Sequence, residues 1–146
     1  MPLRERAEPA SARWSQLATD DPLCTVYQQA ANELTLPALA QWVREQPPQR
    51  LLTQPRSVLS CLVAIFLTER TKHLWAVTDV RFYLFTRGEG WSWALPTWAL
   101  TCQRVELAWD RPLTTREGLD LVRFLDAHPG AAEWQIAAWL KGRKVG

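Results

Sequence analysis

The sequence predicts a mixed α+β domain with N-terminal helices, a central antiparallel meander of three or four strands and two C-terminal helices. Apolar residues recur at helical spacing before residue 74, alternate with a period of two from there to about residue 109, and then return to helical spacing. Because the helical and strand patterns form separate runs, the order favours α+β over α/β.

The chain of 146 residues has the length of one domain. Residues 1–12 are polar, charged and contain proline, so we expect a mobile tail there and a single domain over 13–146. Nine tryptophans against four phenylalanines is an unusual ratio. Large aromatic side chains contribute most to cores and interfaces, and we expect most of these rings to lie in the core.

Three helices are predicted before the strands. The first has Asp21 as its N-cap and Pro22 at its first position, and the second begins after Thr35 and ends at Pro47. Residues 56–70 are apolar on nearly all sides, which is typical of a central, covered helix, although their β-branched content leaves a strand as the alternative.

The strand pattern begins at Leu74. One strand is predicted where Val80, Phe82 and Leu84 alternate with Arg81, Tyr83 and Phe85. Turn residues at 87–90 lead into a second strand, marked by Trp91, Trp93 and Leu95. A third strand with one polar face is predicted from Val105, Leu107 and Trp109.

Two helices are predicted to close the chain. Thr114 and Glu117 form a capping-box pattern, which opens a helix that ends at His128. The last helix is expected over about 131–141, with Ile136, Trp139 and Leu140 on one face.

Composition argues against several classes of protein. The net charge of +2 is too small to indicate nucleic-acid binding by electrostatics alone. The longest apolar run is far shorter than a membrane span, and the N-terminus lacks the apolar segment of a signal peptide, so we expect a cytoplasmic protein without membrane partners. Three widely spaced cysteines favour free thiols, with no metal site and no cofactor.

Catalytic motifs are weak. Gly90–Ala94 reads G-W-S-W-A and resembles the nucleophile elbow of α/β-hydrolases, but Ser92 is predicted inside a hairpin strand. His73 and His128 fall at helix ends, where structural roles are typical, and no phosphate-binding glycine loop is present. We therefore expect a protein that is not an enzyme, with a small enzyme as the third interpretation.

Residues 128–140 read H-P-G-A-A-E-W-Q-I-A-A-W-L. The segment resembles the first part of some helix-turn-helix domains, which would imply DNA binding. Only six residues follow Leu140 in this sequence, which leaves no room for a recognition helix. A terminal amphipathic helix is the simpler interpretation.

The most informative stretch lies between residues 81 and 109, where arginines are interleaved with aromatic residues. If Val80, Phe82 and Leu84 face the core, the alternate side chains face outward. The predicted binding surface therefore consists of Arg81, Tyr83, Phe85, Arg87 and Arg104. The alternative is that helices of the same chain cover both faces of the sheet.

Such a surface fits two kinds of partner. Tyr, Trp and Arg are favoured anchors at protein interfaces, so our first hypothesis is a small bacterial accessory subunit or inhibitor that binds a protein partner. Exposed aromatic and arginine side chains on a sheet also stack unpaired bases. The alternative hypothesis is therefore a nucleic-acid-binding or regulatory protein, with Lys141, Arg143 and Lys144 as further contacts.

Overall fold

The computed structural model describes residues 22–144, with only the backbone of Lys144. The helices are α1 (Pro22–Glu33), α2 (Leu36–Arg44), α3 (Leu62–Thr71), α4 (Thr97–Trp109), α5 (Thr115–Ala127) and α6 (Glu133–Lys144). The strands are β1 (Trp75–Val77), β2 (Arg81–Leu84) and β3 (Trp93–Ala94), with two 3₁₀ turns, Phe85–Arg87 and Glu89–Trp91, between β2 and β3. The predicted α+β class is confirmed. The predicted tail and the predicted N-cap Asp21 lie outside the described residues.

The sheet is antiparallel and has the order β1-β2-β3. Trp75 pairs with Leu84, Val77 with Phe82, and Phe82 with Trp93. Directly paired residues point to the same side of a sheet, so these five side chains form one face, which we call the inner face. The opposite, outer face carries Arg81 and Tyr83 of β2 with their pairing partners Ala94 and Ala76.

Helices α1 and α3 cover the inner face. The Tyr27 ring of α1 lies 5.1 Å from the Trp75 ring and 6.5 Å from the Phe82 ring, and its hydroxyl accepts a hydrogen bond from the Leu84 backbone at 3.0 Å. Thr71, at the end of α3, accepts a hydrogen bond from the Trp75 indole at 2.8 Å. The sheet is therefore anchored on one side by both packing and buried hydrogen bonds.

The third strand predicted from Val105, Leu107 and Trp109 is wrong, because this segment is the second half of α4. Its buried residues are Ala99, Thr101, Cys102, Val105 and Trp109, which recur at helical spacing. Leu107 is 74% exposed, so the apparent alternation of apolar residues does not mark one buried face. Three helices therefore follow the sheet, not the two that were predicted.

The central helix is confirmed, but it is shorter than predicted. Residues 56–61 form turns, and Arg56 has a left-handed backbone conformation with φ of 62°. Helix α3 begins at Leu62, and six of its ten residues are buried: Leu62, Val63, Ala64, Phe66, Leu67 and Thr71.

The C-terminal helices pack as the sequence predicts. The Thr114 side chain accepts a hydrogen bond from the Glu117 backbone while the Glu117 side chain accepts one from the Thr114 backbone, which confirms the capping box. On α6, Ile136 and Trp139 are buried and Leu140 is packed against the core. Of the eight described tryptophans, four are buried (Trp42, Trp75, Trp109, Trp139), three are half-buried (Trp91, Trp93, Trp98) and one is exposed (Trp134).

Candidate functional site

Three of the predicted surface residues lie as expected on or next to the outer face. Arg81 and Tyr83 are half-buried, and Phe85, in the first 3₁₀ turn, is 48% exposed. Phe82 and Leu84 face the core as predicted, but Val80 does not, because it is 51% exposed. Val80 lies in the turn before β2, where its backbone N–H donates a hydrogen bond to the Thr78 hydroxyl at 3.2 Å. The alternation of strand side chains therefore does not extend to Val80.

Arg81 has a structural role. Its Nε donates a hydrogen bond to the Ser92 hydroxyl at 2.6 Å, and its guanidinium also donates to the Ser92 carbonyl at 3.0 Å. Ser92 is buried, and it lies in the predicted hairpin region and not on a strand-to-helix turn, so it lacks the geometry of the nucleophile elbow. Arg81, the first residue of β2, is thus hydrogen-bonded to the residue that precedes β3.

The loop between β2 and β3 adds Arg87 to the exposed residues. Its guanidinium carbon lies 5.5 Å from the centre of the Trp91 ring, within the range of a cation–π contact. The turn that contains Trp91 packs back against β2. We call Arg81, Tyr83, Phe85 and Arg87 the outer sheet surface.

Arg104 does not belong to the strand from which it was predicted. It lies on α4, where its guanidinium donates a hydrogen bond to the Ala131 carbonyl at 2.8 Å and forms an ion pair with Glu133. These contacts direct it towards the beginning of α6. The structure therefore groups four of the five predicted surface residues along β2 and the following turns.

The basic C-terminal residues are only partly free for a ligand. Lys141 is exposed, but the Arg143 guanidinium lies 4.5 Å from the Trp139 ring centre and 4.0 Å from the Asp120 carboxylate. The side chain of Lys144 lies outside the described residues.

A second candidate site is a pocket of about 200 Å³ between α4, the turn before β2 and residues 53–58. Its apolar wall includes Val58, Val77 and Leu107. Its mouth carries an ion pair in which Arg56 donates two hydrogen bonds to Asp110, at 2.9 and 2.6 Å. Arg56 and Asp110 both have left-handed backbone conformations, with φ of 62° and 53°, which are uncommon for residues other than glycine.

The pocket contains the carboxyl group of Glu106. Its two oxygens accept hydrogen bonds from the Leu62 backbone N–H at 3.1 and 3.3 Å, and the Cys102 thiol lies 3.4 Å away. Burial of the carboxyl group raises the pKa of Glu106 to about 7. The hydrogen bonds from Leu62 and Cys102 lower this pKa but only partly offset the effect of burial.

The cysteines around this carboxyl are buried thiols. Burial, reinforced by the negative charge of Glu106, raises the pKa of Cys61 to about 12, and the same two causes raise the pKa of Cys102 well above its usual value. A thiol reacts mainly as its thiolate, so neither group is suited to nucleophilic chemistry. Within the described residues, no group of three or more His, Cys, Asp or Glu side chains is placed to hold a metal ion.

Sequence reasoning missed this pocket because it placed Glu106 on the polar face of a strand. In a helix, Cys102 and Glu106 are four residues apart and lie on the same side, next to the buried positions 105 and 109. If the segment had been interpreted as a helix, a charged residue among these buried positions would have marked Glu106 as a candidate site residue.

No helix among residues 22–144 is long and apolar enough to cross a membrane. Comparison with protein-family models, with curated proteins and with solved structures gave no match to this chain. A function for this chain must therefore be inferred from its residues and their geometry.

Proposed function

We propose that this chain is a non-enzymatic, cytoplasmic accessory or inhibitory protein that binds a protein partner through the outer sheet surface. The observation that carries the proposal is that α1 and α3 pack on the inner face, whereas Phe85 stays 48% exposed and shares a 3₁₀ turn with the exposed Arg87. Exposed aromatic and arginine side chains are favoured at protein interfaces.

The charges favour an acidic, partly apolar protein segment as the partner. Arg81 and Arg87 contribute two positive charges and Glu89, in the adjoining turn, one negative charge. Nucleic acid is less well matched, because neutralising several phosphates needs several uncommitted cations. Here the outer sheet surface carries only two arginines, Arg81 and Arg87, and Arg143 is packed on Trp139.

A comparison of two double variants tests the proposal. Phe85→Ala/Arg87→Ser removes the exposed ring and charge of the outer sheet surface. Trp134→Ala/Lys141→Ser is the matched control, because Trp134 is 72% exposed and Lys141 is exposed on α6. We avoid Arg81 as a target because its loss would also break the hydrogen bonds to Ser92.

Wild-type protein and both variants are used to capture proteins from lysate with and without nuclease treatment, and any candidate is then purified and titrated directly. We expect the outer-surface variant to bind about 30-fold more weakly, which corresponds to about 2 kcal/mol for the loss of interface anchors. The control variant should bind like wild type, and both should keep the wild-type melting temperature within a few degrees.

Two results would contradict the proposal. Equal binding by wild type and the outer-surface variant would exclude this surface as the contact. Binding that is lost after nuclease treatment, or that is weakened only by the α6 variant, would favour the nucleic-acid hypothesis.

A further inference from the structure

Helix α6 has one side that packs on the domain and one side that faces outward. Ile136 and Trp139 are buried on the inner side. The outward side carries four exposed residues at helical spacing, Trp134, Ala137, Ala138 and Lys141. Residues three, four and seven positions apart lie on the same side of a helix, so these four form one continuous surface, which we call the α6 strip.

The α6 strip combines a large exposed ring with a low surface next to it. Trp134 is 72% exposed, and tryptophan is one of the residues most enriched among the anchors of protein interfaces. Ala137 and Ala138 follow one turn later on the same side. The distance between two packed helices depends on the side chains at the contact, so alanines there allow a second helix to approach closely.

The strip is symmetric about its own midpoint. Trp134 and Lys141 each lie three residues from the central pair Ala137 and Ala138. When two copies of α6 run antiparallel with their midpoints together, Trp134 of each copy faces Lys141 of the other and the alanines meet at the crossing. This is the pairing that a two-fold interface requires, in which each surface contacts its own copy.

The charges favour the antiparallel arrangement over a parallel one. An ammonium group is attracted to the face of a tryptophan ring, so Lys141 of one copy is complementary to Trp134 of the other. Glu133 lies at the opposite end of the strip from Lys141, and its side chain stays 85% exposed although it pairs with Arg104. Antiparallel pairing brings Glu133 towards Lys141 of the second copy, whereas parallel pairing would place the two Lys141 ammonium groups together.

We propose that the α6 strip binds a second copy of this chain, forming a two-fold dimer through antiparallel α6 helices. A helix of 12 residues is about 18 Å long. A contact of this length is smaller than the about 800 Å² per partner of stable complexes, so we expect a weak dimer with a Kd on the order of 100 µM. The strip is separate from the outer sheet surface, and this inference does not depend on the proposed function.

Sedimentation equilibrium of the purified chain, from about 10 µM to about 1 mM, tests the proposal on either side of the expected Kd. The mean mass should rise from one chain towards two over this range. The outer-surface variant Phe85→Ala/Arg87→Ser is the control and should dimerise like wild type.

Three substitutions locate the contact. Trp134→Ala removes the ring, and Ala138→Gln places a longer side chain at the crossing without a large change in helix propensity. Each should weaken the dimer at least tenfold. Lys141→Gln should weaken it about fivefold or more by removing the ammonium groups from both tryptophans, whereas Lys141→Arg keeps the cation and should stay within about threefold of wild type.

The possible outcomes separate the alternatives. A chain that stays monomeric at about 1 mM, or a dimer unchanged by both Trp134→Ala and Ala138→Gln, would overturn the proposal. A stronger dimer in Lys141→Gln would overturn the antiparallel arrangement, because removing the charge would relieve repulsion in a parallel pair.

Folding and partner binding are measured separately from dimerisation. The three substituted positions are exposed in the single chain, so each variant should keep the wild-type circular dichroism and melting temperature. If one variant fails to fold, the other two decide. The Trp134→Ala/Lys141→Ser control of the outer-surface comparison should be monomeric, so its affinity for a protein partner is compared per chain, and failure of either proposal leaves the other standing.

Discussion

Replacing Glu106 with Gln should change how stability depends on pH. In the wild-type protein the pKa of Glu106 is raised from the ordinary value of 4.5 to about 7, mainly because the carboxyl is buried. Between these two values the folded state holds a proton that the unfolded state has lost. Folding stability therefore decreases as pH rises through this window, and the stability present below about pH 4.5 is lost above about pH 7.

The size of this effect follows from the shift. A change of one pKa unit corresponds to about 1.4 kcal/mol, so a shift from 4.5 to about 7 corresponds to a loss of about 3 kcal/mol across the window. Glutamine is uncharged at every pH and its carbonyl can still accept the hydrogen bond from Leu62. The free energy of unfolding of Glu106→Gln should lack this dependence.

Urea unfolding followed by tryptophan fluorescence measures the difference between the two proteins at several pH values from about 5 to about 8. Taking the difference removes the contributions of all other titrating groups. Glu89→Gln, at an exposed carboxylate, is the control and should follow wild type. The reasoning is refuted if the difference between wild type and Glu106→Gln stays constant or if wild type gains stability as pH rises.

Three further predictions concern the core and the thiols. Phe82 is 1% exposed, so Phe82→Ala should lower the free energy of unfolding, measured by chemical denaturation, by about 3–5 kcal/mol. Val80 is 51% exposed, so Val80→Ala should lower it by less than about 1 kcal/mol. Equal losses would contradict the assignment of Phe82 to the inner face. Tyr27→Phe should cost about 1–3 kcal/mol in the same assay, because the buried Leu84 N–H loses its acceptor, and an unchanged stability would show that water replaces the hydroxyl. Thiol titration of the unfolded protein should count three free thiols. In the native protein the half-buried Cys24 should react before the buried Cys61 and Cys102. Simultaneous reaction of all three would contradict the burial of Cys61 and Cys102.

Local signals in the sequence were reliable where the interaction itself is local. The capping box joins Thr114 to Glu117, three residues away, so its two hydrogen bonds depend only on the helix start. The predicted start of the second helix after Thr35 is correct for the same reason, because the Thr35 hydroxyl caps the helix by accepting a hydrogen bond from the Ala38 backbone at 3.3 Å. The inward direction of Phe82 and Leu84 follows from the geometry of a single strand.

The segment around Glu106 could not be assigned in this way. Three alternating apolar residues fit a strand, whereas the helical pattern of α4 becomes clear only from Ala99 to Trp109 as a whole. The pocket also depends on contacts distant in sequence, since Leu62 donates to Glu106 across 44 residues and Gln103 donates to Thr78 across 25. The binding role of the outer sheet surface stays a prediction, because the positions of its residues are known but the partner is not.

The small size of the sheet makes its two faces contribute differently to stability. Strands of three, four and two residues cannot be stable alone, since small isolated sheets are marginal in water. The sheet must therefore be held by α1 and α3 through the inner face, as the contacts of Tyr27 and Thr71 show. Substitutions on the inner face should thus change stability first, whereas Phe85 and Arg87 make few buried contacts and can change with little effect on folding. Phe85 and Arg87 are therefore the positions at which the proposed binding can be tested without a change in the fold, whereas Arg81 is also hydrogen-bonded to Ser92.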